Sequence, residues 1–364
     1  MPRKDAPSKT RSALRDRPRG MAASVKALLK NARQTVTGAG IPATPIEELF
    51  PKVDPAVDGD DCNHDCGSCS VKYPRGFNVE MEDDLYGHVD GWSTHVLVAT
   101  GKTDWVKHVE DEKGSVMEAF GRSVIKPSNG NLKLSASNIP TPTLHNDYAE
   151  PTTVLLLPAF TVIENVTPTA VPDLIRTFID TAPTNTTPLN APSIPRFLPD
   201  SPASNLMARP SPHRALILLC SQRTRDARCG QSAPLLRKEL ERHLRPLGLF
   251  RDLDDERPGG VGIYFISHVG GHKYSANMMI YRRPNPFGLD DLQRAKVDEE
   301  VRPLPQTQNA EAPGEEASQC IWLARVRPED CEGIIKYTVL QGKLIQPERQ
   351  LRGGFDRQKG VFSW

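Results

Sequence analysis

Short apolar runs, closed by glycine, proline or small polar residues, recur along this chain in two groups separated by a proline-rich stretch. In the first group, Thr94-His-Val-Leu-Val-Ala-Thr100 is rich in β-branched residues and stops at Gly101, which predicts a strand. Thr152-Thr-Val-Leu-Leu-Leu-Pro158 is a continuous apolar run of the kind a strand buried on both faces shows. Residues 116–124 between them and 172–180 after them read as helices, the second with Pro172 in its first turn. Strand, helix, strand, helix over 90–180 predicts a small α/β half.

Residues 181–212 hold eight prolines among Thr, Asn and Ser, the composition of a linker. Beyond them, residues 214–220, 261–267, 275–281 and 320–326 predict four strands. A helix is expected from Ala233 to about Leu247, capped by Ser232, with Pro234 in its first turn and Gly248 ending it. Its Leu235, Leu236, Leu240, Leu244 and Leu247 fall mostly on one face. Pro328 opens a last helix, from Glu329 to about Leu340. The order β-α-β-β-β-α over 213–345 fits a thioredoxin-like domain, with a polar, Pro- and Glu-rich insertion at 284–318 that a surface position would tolerate. The expected class is therefore α/β, a thioredoxin-like domain preceded by a smaller half of related plan.

With 364 residues, 38% of them aliphatic or aromatic, the chain has material for two such units. Residues 1–75 are expected to be disordered. The first forty are basic, with ten Lys and Arg against Asp5 and Asp16, and read as a mitochondrial transit peptide or a solvated tail. Residues 346–364 read as a C-terminal tail. A net charge of +1 favours no nucleic acid or acidic partner. No apolar run reaches the roughly 18 residues a membrane span needs, and no secretory apolar block opens the chain. Seven cysteines, an odd number in a long chain, suit a reducing compartment and metal or redox use. No dinucleotide fingerprint, P-loop or nucleophile elbow is present, and Gly259-Gly260 and Gly353-Gly354 read as lone turns, so a catalytic apparatus is not expected.

The chemistry concentrates in Cys220-Ser-Gln-Arg-Thr-Arg-Asp-Ala-Arg-Cys229 and His268-Val-Gly-Gly-His272. Cys220 and His268 each end a predicted strand, at the sheet edge where α/β folds bind ligands, and Cys229 is expected just before the helix. Gly270 and Gly271 let the chain turn sharply between the histidines. Two soft sulfurs and two imidazole nitrogens suit one metal centre, either a [2Fe–2S] cluster of mixed ligation or zinc. The eight residues between the cysteines exceed the two to four of a zinc knuckle, and also exceed the adjacent-turn spacing of a redox thiol pair. Arg223, Arg225 and Arg228 place positive charge in the cysteine loop.

These two segments, with Gly230-Gln-Ser-Ala-Pro-Leu-Leu and Lys273-Tyr-Ser-Ala-Asn-Met, resemble the fungal sucrase/ferredoxin-like family, the group of the actin patches distal and altered inheritance of mitochondria proteins. The resemblance extends over roughly 90–355, through Ile321-Trp-Leu-Ala-Arg-Val-Arg-Pro, Gly342-Lys-Leu-Ile and Arg352-Gly-Gly, and more weakly to Thr103-Asp-Trp105 and Leu155-Leu-Leu-Pro. It implies a thioredoxin-like ferredoxin whose [2Fe–2S] cluster is held by Cys220, Cys229, His268 and His272. It also implies an electron carrier in cellular redox homeostasis, served by donor and acceptor proteins that the sequence does not identify. The competing class is a zinc-stapled α/β scaffold without redox activity.

Two further features stand apart. Cys62-Asn-His-Asp-Cys66-Gly-Ser-Cys69 offers a second metal set of Cys62, His64, Cys66 and Cys69, or a redox pair. Cys320 and Cys331 fall in a predicted strand and helix and read as packing residues. The chain ends Val361-Phe-Ser-Trp364, which resembles the tail by which client proteins dock on the cytosolic iron–sulfur assembly targeting complex. That reading favours the cytoplasm over mitochondria; the alternative is a Trp364 folded back onto the domain.

Overall fold

The predicted apolar runs pair edge to edge. The computed structural model describes residues 44–59, 62–145, 147–189, 205–290 and 316–364. Its strands are β1 (Thr94–Ala99), β2 (Leu132–Ser137), β3 (Thr152–Leu157), β4 (Thr161–Val166), β5 (Met207–Pro210) and β6 (Ala215–Cys220). They continue with β7 (Phe250–Arg251), β8 (Val261–Ile266), β9 (Met278–Arg282), β10 (Gln319–Leu323), β11 (Leu351–Asp356) and β12 (Val361–Ser363). Among the described residues they form one sheet in the order β12-β11-β10-β9-β6-β8-β2-β1-β3-β4-β5, with β7 beside β8.

Four helical elements matter for the site. These are α1 (Val116–Arg122), α2 (Pro168–Ala170, Val171–Asp173 and Leu174–Ile179), α3 (Ala227–Leu244) and α4 (Pro328–Asp330, Cys331–Gly333 and Ile334–Val339). The first half is thus β1-α1-β2, parallel, followed by antiparallel β3 and β4 and then α2. The second is β6-α3-β8, parallel, followed by antiparallel β9 and β10 and then α4. Even the irregularity repeats. Both α2 and α4 open on a proline in a tight turn and widen to π-type turns at the end.

Three cores result. In the first half α1 and α2 cover Val96, Val98, Val154 and Leu156; in the second, α3 and α4 cover Ile217, Leu219, Ile263 and Ile280. The helix-free faces share the third, where Leu97 and Leu155 pack in one cluster with Leu216, Leu218, Met279 and Trp322. There Trp92 Nε1 donates to the Tyr281 hydroxyl (3.2 Å), and His95 Nδ1 lies 3.1 Å from the same oxygen. Burial of His95 drives its pKa well down, so the imidazole is a neutral bridge.

Several sequence expectations change. Residues 44–59 and 62–75 are ordered, because Leu49, Phe50 and Val53 are buried against the second half and Tyr73 donates to the Val326 carbonyl (2.7 Å); the basic first forty residues lie outside the described ones. The expected linker contributes β5, and Thr184 and Asn185 before it are buried; 190–204 are not described. The expected tail forms β11 and β12, so Gly353-Gly354 is strand rather than turn. A Cβ on Gly354 would stand 2.1 Å from the Cys320 carbonyl oxygen, which explains the glycine there. The second half otherwise keeps the expected β-α-β-β-β-α order with the two-residue β7 added between α3 and β8, and of the insertion only its flanks, 284–290 and 316–318, are described.

Candidate metal centre

β6 and β8 run parallel and in register, Cys220 opposite Ile266, so both chain exits lie at the same sheet edge. Helix α3 starts earlier than its leucine pattern suggests. Asp226 caps it by accepting from Arg228 N (2.9 Å), and Arg228 closes back on the same carboxylate. Cys229 therefore lies in the first turn of the helix rather than before it. Ser232, expected as the cap, bonds back to the Cys229 carbonyl instead (3.3 Å). Pro234 is inside the helix, where it leaves the Gly230 carbonyl without its usual partner.

The ligand atoms of Cys220, Cys229 and His268 all lie within 4.8 Å of one another. Cys220 Sγ is 3.9 Å from His268 Nδ1, and Cys229 Sγ is 3.4 Å from Ser275 Oγ. His272 is outside that trio but next to it, exposed, with its ring 5.4 Å from the His268 ring. Both thiols are buried and both imidazoles stand toward the rim. The thiols act as a pair. The nearby Cys220 thiol, helped by His268 and Ser275, pulls Cys229 below the usual thiol range, while the nearness of Cys229 and burial push Cys220 up.

The cysteine loop is braced by the first half. Ser221 Oγ donates to the Thr103 carbonyl (2.8 Å), and Thr224 donates to Asp104 through its amide (3.0 Å) and its hydroxyl (2.8 Å). Gln222 donates to the Trp105 and Val106 carbonyls and accepts from the His268 amide (2.8 Å), so one side chain ties both ligand segments together. The histidine loop rests on Arg352, whose Nη1 donates to the Gly270 carbonyl (3.0 Å) and to Asn277 (2.9 Å). Gly271 has φ +65°, and a Cβ there would stand 2.6 Å from that guanidinium, so glycine serves both turn and packing.

Sequence reasoning placed the nearby positive charge on Arg223, Arg225 and Arg228. In the structure Arg223 is exposed and Arg228 is paired with Asp226. The cations that act on Cys220 are Lys133, half-buried on β2, and Arg352, buried on β11. Burial pushes Lys133 down to about 8, partly countered by nearby Cys220, and pushes Arg352 down to about 10. Lys133 donates to the Val269 carbonyl (3.2 Å) beneath the Trp92 and Trp322 rings. Lys133 escaped the sequence reading, and Gln222 and Asp104 stood in quoted segments without a role, because each acts across a distance in the chain that only the assembled sheet closes.

The other expected residues fall as follows. Cys320 and Cys331 are fully buried packing residues. Cys62 is buried with Val53 and Tyr337, whereas Cys66 faces α3 and groups with Glu239 and His243, not with Cys62 and His64. Trp364 is folded back and half-buried, stacked on Trp92 at 4.3 Å between ring centroids with Phe355 edge-on.

Fold and site together define an α/β protein of doubled plan with a buried cysteine pair beside two surface histidines. The sucrase/ferredoxin-like family model matches residues 85–353, and the chain belongs to that family. Actin patches distal protein 1 of Saccharomyces cerevisiae is 29% identical over 255 residues, covering 64% of this chain and 76% of that protein. Altered inheritance of mitochondria protein 32 is 30% identical over 134 residues in Clavispora lusitaniae and over 131 in Debaryomyces hansenii. In both cases 33% of that relative's length is covered, with 37% and 36% of this chain. No solved structure matches the chain. No helix among the described residues is long and apolar enough to cross a membrane.

Proposed function

We propose that the chain is an electron-transfer protein carrying a [2Fe–2S] cluster on Cys220, Cys229, His268 and His272, of thioredoxin-like plan in its second half. The observation that carries this is the convergence of two buried sulfurs and a histidine nitrogen within 4.8 Å, with a second histidine ring beside the first. The donors fit such a group: paired thiols suit one iron and paired imidazoles the other. The cluster would supply a reversible one-electron store, at a potential raised by having imidazoles in place of two thiolates. The protein's part is to hold the donors. Gln222 fixes the two ligand loops to each other, Asp104 and Thr103 pin the cysteine loop, and half-buried Lys133 and buried Arg352 set positive charge near Cys220. A rim histidine keeps one ring nitrogen open to water, so electron and proton uptake are coupled there.

In this reading the chain works in the cytoplasm, in redox homeostasis, between donor and acceptor proteins rather than on nucleic acid or at a membrane. The targeting complex for iron–sulfur assembly would recognise Trp364. Because Trp364 is stacked on Trp92, that docking needs the end of β12 to peel away first.

The test is spectroscopy of anaerobically purified protein with metal and sulfide analysis. Visible absorbance bleached by dithionite, with equal iron and acid-labile sulfide, is expected; a colourless protein with one zinc at Cys220 and Cys229 would establish the scaffold instead. The reduction potential should fall with rising pH between about pH 6 and 10, and His268→Cys should retain the colour while flattening that slope. A flat wild-type profile would overturn histidine ligation.

A further inference from the structure

The tract from Cys62 to Cys69 does not act as one set. Its second part is drawn toward the middle of α3. Cys66 N donates to the Glu329 carbonyl (3.0 Å), and Ser70 donates to Glu239 through both its amide (3.3 Å) and its hydroxyl (2.8 Å). On α3, Glu239, Arg242 and His243 share one face at i, i+3 and i+4 spacing. Cys66 Sγ, a Glu239 carboxylate oxygen and a His243 ring nitrogen then lie within 4.8 Å of one another. Glu239 is fully buried and Cys66 nearly so.

One atom sits among these donors. The Nη2 of Arg242 is 3.6 Å from Cys66 Sγ, 3.0 Å from His243 Nε2 and 3.4 Å from Ser68 Oγ, and pairs with Glu239 at still closer range. A guanidinium donates and never accepts, so His243 Nε2 must turn its lone pair toward it. An imidazole with a bare Nε2 is the neutral form, protonated at Nδ1. Arg242 and Ser70 both donate to the Glu239 carboxylate. A sulfur, a neutral imidazole nitrogen and a carboxylate oxygen are thus already pointed at a single cationic position.

We propose that Cys66, Glu239 and His243 form a zinc-type divalent metal site, with Cys69 as the fourth donor and Arg242 as the cation that fills the position when metal is absent. The donor set is the mixed S, N and O ligation that zinc accepts in tetrahedral sites, and Cys66-Gly-Ser-Cys69 has the two-residue gap of a zinc knuckle. The Cys69 thiol donates to the Val71 carbonyl (3.1 Å) and has to turn from it to bind. Arg242 is about a third exposed, so it can swing to solvent as metal enters. The site is separate from the first. Cys229 and Glu239 stand ten residues apart on α3, about 15 Å along its axis. Zinc here would clasp the 62–70 loop to α3 and stand independently of whatever occupies Cys220 and Cys229.

The experiment is zinc titration of the full-length chain against a chromophoric chelator, in a Cys220→Ser, Cys229→Ser background so that only the second site reports. One tightly bound zinc is expected. Cys66→Ser and His243→Ala should each weaken it by about tenfold or more, with circular dichroism confirming an intact fold. Arg242→Gln, which removes the competing charge, should tighten it. That gain is the result a purely structural arginine would not give. No binding, binding unaltered by His243→Ala, or a weaker site in Arg242→Gln would each overturn the proposal.

Discussion

Ala99 ends β1 where Cys220 ends β6, and Ile139 follows β2 where His268 follows β8, when the halves are superposed by their shared strand register. The same matching, counted from the caps Ser115 and Asp226, sets Glu118 of α1 against Cys229 of α3. The first half therefore has the strand exits, the helix start and the loops, without the donors. A small pocket opens at that edge, lined by Ala99, Thr100, Val116, Thr141, Thr143 and Thr152 and also by His145, Asp147 and Glu150, none of these last three at a register position that matches a second-half ligand. The plan alone builds a place for a ligand, and the side chains at a few register positions decide whether metal chemistry follows. The first half is still part of the site, because its 103–106 segment and its Lys133 brace and charge the other half's loops.

The sharpest way to break this comparison is to remove a donor from one half and its counterpart from the other. On the proposed cluster reading, Cys220→Ser should abolish the visible chromophore. Ile139→Ala, at the position matching His268, should leave it at wild-type intensity per folded protein. Absorbance and iron content of the two purified variants check this; equal losses would mean that the halves are not matched as the register implies.

Much of the second half was legible because its strands are continuous apolar runs bounded by Gly and Pro, and because Cys-Cys-His-His is a rare composition at strand ends. Residues 132–137, Leu-Lys-Leu-Ser-Ala-Ser, escaped as a strand since half its positions are polar; they gain partners only when β1 and β8 flank them. β5, β11 and β12 escaped for a related reason. Met207-Ala-Arg-Pro and Leu351-Arg-Gly-Gly lack β-branched runs, and their pairing comes from β4 and β10 beside them. Of the candidate site, Cys220, Cys229 and His268 stood out at strand ends and the fold brings them together, while the bracing roles of Gln222, Asp104 and Lys133 did not stand out, because nothing local distinguishes a bracing Gln or Lys from a surface one.

Lys133 sharpens the comparison next, since it belongs to one half and serves the other. Its pKa of about 8 in the fold lies below the ordinary 10.5 of an unfolded lysine. The unfolded chain thus binds more protons between those values, and metal-free protein should gain stability as pH rises from about 8 to 10.5, by at most about 1.4 kcal/mol per pH unit. Below that window the burial penalty is fully present. Lys133→Met should remove this part of the slope and raise the denaturation midpoint near neutral pH. Urea melts across the pH range measure it; an unchanged slope would mean that Lys133 is solvated.

The seam between the halves is where their equivalence is most testable. β2 and β8 meet antiparallel at Ser137 and Ile266, and the bonds around that pair repeat. Asn138 N donates to the Phe265 carbonyl (3.1 Å) as Ser267 N donates to that of Ala136 (2.9 Å). Asn138 Oδ1 accepts from Phe265 N (2.7 Å) as Ser267 Oγ accepts from Ala136 N (3.1 Å). Asn138 and Ser267 occupy matched positions, so one arrangement is made twice with different side chains. Each truncation to Ala leaves a buried amide without its acceptor, at a cost of about 1–3 kcal/mol. Because one sheet and one shared core span both halves, either variant should lower the midpoint of a single cooperative transition rather than detach one half. Two transitions in Asn138→Ala, with cluster absorbance surviving the first, would show that the halves fold separately and that the seam is only a contact between them.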